Sequence, residues 1–228
     1  MTTQGNHADL MDRVYRQQRH IYDLTRKFYL LGRDRMIDRL SPRPSARIVE
    51  VGCGTARNLI RLARRYPDAR LFGLDASHAM LKTASIAIAR AALSDRIVLA
   101  QGYAEALSPE LFGETAPFDD ILFSYSLSMI PDWRQALNAA KGALSTNGRI
   151  HIVDFGDLRN LVGPARHALR KWLEFFHVAP RAELLSALEN LRSDGARLHI
   201  LPGRYAFLFS SNADGLPRFD PAVARLTQ

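Results

Sequence analysis

The sequence predicts an α/β fold, a mostly parallel sheet of seven strands with one antiparallel strand at its edge, behind an N-terminal helical segment. Three observations predict it. From residue 47 onward, apolar runs rich in β-branched residues alternate with stretches of helical periodicity, as βαβ units require. The first run ends in a glycine turn that passes straight into a helix. Two late apolar runs have no helix between them, so they pair antiparallel.

Residues 1–45 read as an amphipathic helical lid and residues 46–228 as the sheet domain. In the first part Met11, Val14, Tyr15, Ile21, Tyr22, Phe28 and Tyr29 recur at helical spacing. Arg13, Arg16, Arg19, Arg26 and Lys27 take the other faces. "SPRPS" then breaks the helix. "RIVEVG" opens the sheet and "NLIRLARRY" follows as a helix. "ARLFGLDA", "RIVLAQGY", "FDDILFSYSL" and "RIHIVDFG" supply further strands, with helical "SHAMLKTASIAIARAAL" and "DWRQALNAAKGAL" among them. Pro164 can open another helix, with Ala165, Ala168, Leu169, Trp172, Leu173 and Phe176 on one stripe and Arg166, Arg170 and Lys171 flanking it. "ARLHILPGRYAFLFSSNA" holds the last two runs, joined by Pro202-Gly203.

The chain has 228 residues, 47% of them hydrophobic, and a formal charge of +8. That surplus favours anionic partners and says nothing about fold. A single cysteine, Cys53, excludes a disulfide framework or a multi-cysteine zinc site and suits a reducing compartment. No stretch has the apolar length of a membrane span, and the N-terminus lacks the apolar core of a signal peptide. The expectation is a cytoplasmic protein, soluble or peripherally bound to the inner face of a membrane. Nucleic acid is not expected, because the arginines are spread through amphipathic helices.

In such sheets a ligand sits beyond the carboxyl ends of the strands, over the first turn. The turn here reads Glu50-Val51-Gly52-Cys53-Gly54-Thr55, and Asp75 closes the second run 21 positions after Gly54. A dinucleotide fingerprint fails because Arg57 stands where its third glycine belongs, and no Gly-Lys-Ser/Thr follows. A carboxylate beside the turn repels a pyrophosphate and suits an ammonium or sulfonium. That preference points to S-adenosylmethionine, with Asp75 accepting from ribose hydroxyls. A helix cap is the competing reading of Asp75.

These residues resemble class I S-adenosylmethionine-dependent methyltransferases, whose sheet is Rossmann-like. "VEVGCGTARN" looks like their first motif and implies cofactor contacts at Glu50, Gly52, Cys53, Gly54, Thr55 and Asn58. The usual glycine is replaced by Ala56, which fits if the backbone is already helical there. "LFGLDAS" resembles the second motif and implies Asp75 and Ala76, with Met80 close by. "QGYAEAL" resembles the third and implies Gly102, Tyr103 and Ala104 around the adenine, although an acidic residue is usual at Tyr103. "FDDILFSYSLSMIPDW" resembles the fourth, with Ser124, Tyr125 and Ser126 facing the reactive methyl.

An activated methyl needs no metal and no protein nucleophile. It needs an aligned acceptor and, for an amine, somewhere for a proton to go. Tyr125, Ser126, Asp154 and Tyr22 are the candidates, against packing for Tyr22 and loop capping for Asp154. "VYRQQRHIYDLTRKFYLLGRDRMI" with "SYSLSMIPDW" further resembles bacterial betaine-lipid and phospholipid N-methyltransferases. The resemblance implies a lipid amine substrate at an anionic membrane surface, diacylglyceryl homoserine or phosphatidylethanolamine. It also implies that Tyr22 and Arg33 close over the methionine end of the cofactor.

Overall fold

The structure, a computed structural model, describes residues 30–176, 178–191 and 195–217. Tyr22 and the helix expected around it lie outside the described residues. Strands β1 (Arg47–Val51), β2 (Arg70–Asp75), β3 (Ile97–Gln101), β4 (Phe118–Ser124), β5 (Leu144–Phe155), β6 (Arg197–Ile200) and β7 (Ala206–Ser211) form the sheet. Their order is β3-β2-β1-β4-β5-β7-β6. Strands β1 to β5 pair in parallel, and β7 is antiparallel to both β5 and β6.

The expected seven-stranded, mostly parallel sheet is present. Its antiparallel strand is β7, which lies one place in from the edge and is hairpinned to the edge strand β6. Composition explains which strand is inside: "AFLFSS" of β7 is almost wholly buried, whereas "RLHI" of β6 is only partly covered. The more apolar partner takes the inner place.

Helices α1 (Arg33–Arg39), α2 (Arg57–Arg65), α3 (His78–Arg90), α4 (Trp133–Ala143), α5 (Gly163–Phe175) and α6 (Ala182–Glu189) cover both faces. On one face Met36 and Ile37 of α1, Leu59 and Leu62 of α2, Met80 and Ala84 of α3 and Leu173 of α5 share a core. On the other, Ala136, Leu137 and Ala140 of α4 pack with Leu184, Leu185 and Leu188 of α6. Helix α1 is tied to α2 by Asp34–Arg57 at 2.9 Å and Asp38–Arg61 at 3.1 Å. The Tyr66 hydroxyl donates to the carbonyls of Ile37 and Leu40. Residues 30–40 are thus packed into the same core as α2.

The strand order reverses between β1 and β4. The chain leaves β1 toward α2 on one face and β4 toward α4 on the other, so the cleft opens at their carboxyl ends.

Candidate active site

The turn after β1 is built for close approach. Gly52 has φ +75, and a Cβ there would lie 2.6 Å from the Ser126 Cβ. Gly54 also has positive φ, and its N–H donates to the Asp75 carboxylate at 2.7 Å. The N–H of Ser77 donates to the other Asp75 oxygen at 2.9 Å. The cap of α3 is Ser77, whose hydroxyl accepts from the Met80 N–H at 3.3 Å. Asp75 is therefore not the cap. Its carboxylate bridges the first turn to the second at the edge of the cleft.

Ala56 departs from expectation. Its backbone is left-handed, φ 61 and ψ 21, and α2 begins only at Arg57. The premise that an alanine fits because the helix has begun is corrected: a Cβ in this conformation costs about 1–2 kcal/mol. The buried methyl, fully covered by the core, offsets part of that.

One cleft brings together Gly52, Gly54, Asp75, Ala76, Met80, Gly102, Tyr103, Ala104, Tyr125 and Ser126 of the expected residues. Glu105, Met129, Ile130 and Pro131 also line it and were missed by sequence reading. Arg33, Glu50, Cys53, Thr55, Asn58, Ser124 and Asp154 are not among the lining residues; Thr55 faces a separate groove with Arg57 and Arg61. Glu50 is buried at the end of β1, where the Asn58 amide donates to it at 2.6 Å and to the Ser124 hydroxyl at 3.1 Å. Burial, then the charges of Asp75 and Glu50, push the Cys53 thiol well up, so it stays protonated and inert.

At the far end of the cleft Tyr125 has φ 56 and is 3% exposed. Its hydroxyl donates to the Leu31 carbonyl at 2.6 Å, pinning the segment just before α1 to the end of β4. Burial, then Tyr205 and Asp154, raise its pKa well above the usual value. Tyr125 therefore keeps its proton at neutral pH and can accept a hydrogen bond but not act as a phenolate. Its ring meets Phe155 edge-on at 4.6 Å, and Phe155 meets Tyr205 at 5.8 Å. The Ser126 hydroxyl is buried at the cleft without a protein partner.

Asp154 stands behind this wall. Its oxygens accept from the N–H groups of Ser128 at 3.0 Å and Phe155 at 2.7 Å. Burial raises its pKa from 3.8 to about 6, against those hydrogen bonds and the charge of Arg181. Between those two values the folded chain holds a proton that the unfolded chain has lost. Stability from this group therefore falls as pH rises from about 4 to about 6, by about 3 kcal/mol in all. Urea unfolding across that window should show a flatter pH slope for Asp154→Asn than for the unsubstituted chain. Equal slopes would mean that the carboxyl titrates normally. Asp157, lowered to about 2 mainly by hydrogen bonds from Arg204 and Arg159 that outweigh its desolvation, acts below this window with the opposite sign.

The residues present fit an adenosine bearing a cationic tail. Asp75 offers acceptors, Gly52 lets the turn close against Ser126 after β4, and the orphaned Ser126 hydroxyl lies beside that turn. Comparison with known proteins agrees. A family model described as a methyltransferase domain matches residues 42–195. The chain is 27% identical over 162 residues to the ubiquinone/menaquinone biosynthesis C-methyltransferase UbiE of Cereibacter sphaeroides, covering 69% of this chain and 63% of that protein. It is 30% identical over 155 residues to the trans-aconitate 2-methyltransferase of Streptomyces avermitilis, covering 68% and 53% respectively. It thus spans less than two thirds of the length of these relatives. The fold is shared with the crystal structure of a SAM dependent methyltransferase from Aquifex aeolicus, at TM-score 0.60 and 14% identity over 85% of this chain and 95% of that one.

Proposed function

This chain belongs to the methyltransferase-domain family, and from that premise we propose that it moves the methyl group of S-adenosylmethionine onto the amine of a membrane-lipid head group. Diacylglyceryl homoserine, converted to its trimethylated betaine, is the first candidate and phosphatidylethanolamine the second. When bound, S-adenosylmethionine supplies a methyl on a sulfonium that is already a good leaving group. Asp75 holds the ribose, and Met80, Gly102, Tyr103 and Ala104 flank the adenine. The turn from Gly52 to Gly54 supports the methionine portion, with Glu50 favouring its positive charge from behind the turn and Arg33 its carboxylate.

Ser126 and Tyr125 orient the acceptor. The Ser126 hydroxyl, having no other partner, accepts from the amine, and the Tyr125 ring offers its face to a nitrogen that grows more cationic with each methyl. The proton leaves to water.

The lipid half of this reading is carried by helix α5. Val162 at its start is 76% exposed and Phe175 at its end 66%, the two most exposed large apolar side chains among the described residues. Arg166, Arg170 and Lys171 lie between them. Leu169, Leu173 and Phe176 pack into the core that holds Tyr125. A helix that is apolar at both ends and basic along its length suits an anionic bilayer. No helix among the described residues is long and apolar enough to cross a membrane.

A second reading is suggested by the relative of Cereibacter sphaeroides, which is named a C-methyltransferase of ubiquinone/menaquinone biosynthesis: the acceptor would be a carbon. Labelled S-adenosylmethionine with a bacterial lipid extract separates the two. Label in an amine-bearing polar lipid is the expected result. Label confined to a quinone fraction, or none in any lipid, would overturn the lipid amine reading.

A further inference from the structure

The segment between β4 and α4 supplies one wall of the cleft through Ser126, Met129, Ile130 and Pro131. Its own bonding is slight, since the N–H groups of Met129 and Ile130 both donate to the Ser126 carbonyl at 2.9 and 3.0 Å. Charged side chains from two other places hold its backbone. Asp154 accepts from the Ser128 N–H at 3.0 Å. Arg181 takes the carbonyl side: its Nε donates to Leu127 at 3.0 Å and its Nη2 to Ile130 at 2.6 Å. The neighbouring Ala179 N–H donates to the Ser128 carbonyl at 2.9 Å.

Arg181 is out of place by the rules of its own helix. It occupies the N-cap of α6 and makes no capping bond there. A cation at a helix N-terminus opposes the dipole, and Ser, Thr, Asp or Asn would serve better. Its hydrogen bonds lie across the wall instead. Leu127 is fully buried, so its carbonyl would be left without a partner if the guanidinium were removed. The fork geometry also matters, because an ammonium on a flexible stem cannot hold two carbonyls in fixed register.

We propose that Arg181 is a positioning residue for the methyl acceptor: by gripping the Leu127 and Ile130 carbonyls it sets the cleft wall on which the acceptor lies. The donor side is built by other elements, namely the β1 turn, Asp75 and the segment from Gly102 to Ala104. Loss of Arg181 therefore separates the two substrates. The strap that carries it begins at the end of α5, so the helix assigned to the lipid surface and the grip on the acceptor wall are consecutive in the chain.

The acceptor measurements rest on the lipid reading, and the remaining ones do not. Arg181→Ala and Arg181→Lys are compared with Arg204→Ala, which removes an arginine bound to Asp157 and Glu189 instead. On phosphatidylglycerol vesicles carrying diacylglyceryl homoserine, Arg181→Ala should raise the acceptor KM about tenfold and lower kcat. Affinity for S-adenosylhomocysteine by calorimetry should stay within about twofold. Hydrogen exchange at the Ser128, Met129 and Ile130 amides should quicken about tenfold or more. Arg181→Lys should recover only part of the loss, and added guanidinium should restore Arg181→Ala but not Arg204→Ala. Unchanged exchange at those amides, or donor affinity falling as steeply as acceptor affinity, would overturn the proposal. If the unsubstituted protein leaves the lipid unmethylated, the lipid reading fails while exchange and calorimetry still decide the role of Arg181.

Discussion

Asp75→Ala should weaken S-adenosylhomocysteine binding about a hundredfold, measured by calorimetry. Two hydroxyl donors to an ionised carboxylate, at about 1.5–3 kcal/mol each, correspond to that factor or more. The same substitution removes the acceptor for the Gly54 and Ser77 N–H groups, so part of the loss comes from a looser turn. Asp75→Asn divides these contributions. It keeps one oxygen for the backbone and loses the charge, and its affinity should fall between the other two proteins. Binding within threefold of the unsubstituted chain for Asp75→Ala would remove the ribose role altogether.

Gly52→Ala should damage both stability and cofactor binding. Positive φ costs about 1–2 kcal/mol for an L side chain. The clash with Ser126, at 2.6 Å between Cβ atoms, adds an overpacking cost of about 1–3 kcal/mol. A combined loss of about 3 kcal/mol would lower Tm by roughly 10 °C in a chain of this size. Binding of S-adenosylhomocysteine should be abolished as the turn shifts. Gly113→Ala serves as the control, because Gly113 has φ +71 with nothing within 4 Å of a new Cβ. It should show the backbone cost alone. The double variant Gly52→Ala with Ser126→Gly removes the struck atom and should recover the difference. Equal costs at Gly52 and Gly113 would show that close approach of β4 to the turn plays no part.

That Asp75 and the glycine turn share one cleft was legible beforehand. A carboxylate ending one strand 21 positions after a glycine turn ending another fixes their meeting once both strands are parallel neighbours. Asp75 and the glycines of the turn accordingly face one cleft. Tyr103 and Ala104 follow from the third strand by the same logic. The acceptor side was legible only in part. Ser126 and Tyr125 fall where the fourth strand ends, but Asp154 proved to stand behind the wall rather than on it. Tyr125 spends its proton on the carbonyl of Leu31, 94 positions away. The one local sign of Arg181 was negative, a cation where a helix start wants an oxygen, and nothing nearby said which carbonyls it would meet.

Period and turn chemistry are written within a few residues, because a side chain's direction repeats every two or 3.6 positions and a left-handed bend needs a glycine where it occurs. Those regularities predicted the strands and the helices between them from the chain alone, and the motifs they frame resembled the family that the comparison shows. Folding had to decide where β7 sits, how Ala56 bends, which carboxylate is walled in and which arginine braces the acceptor wall. Each of these depends on which buried backbone group is left without a partner, and that is settled only when distant elements close around it.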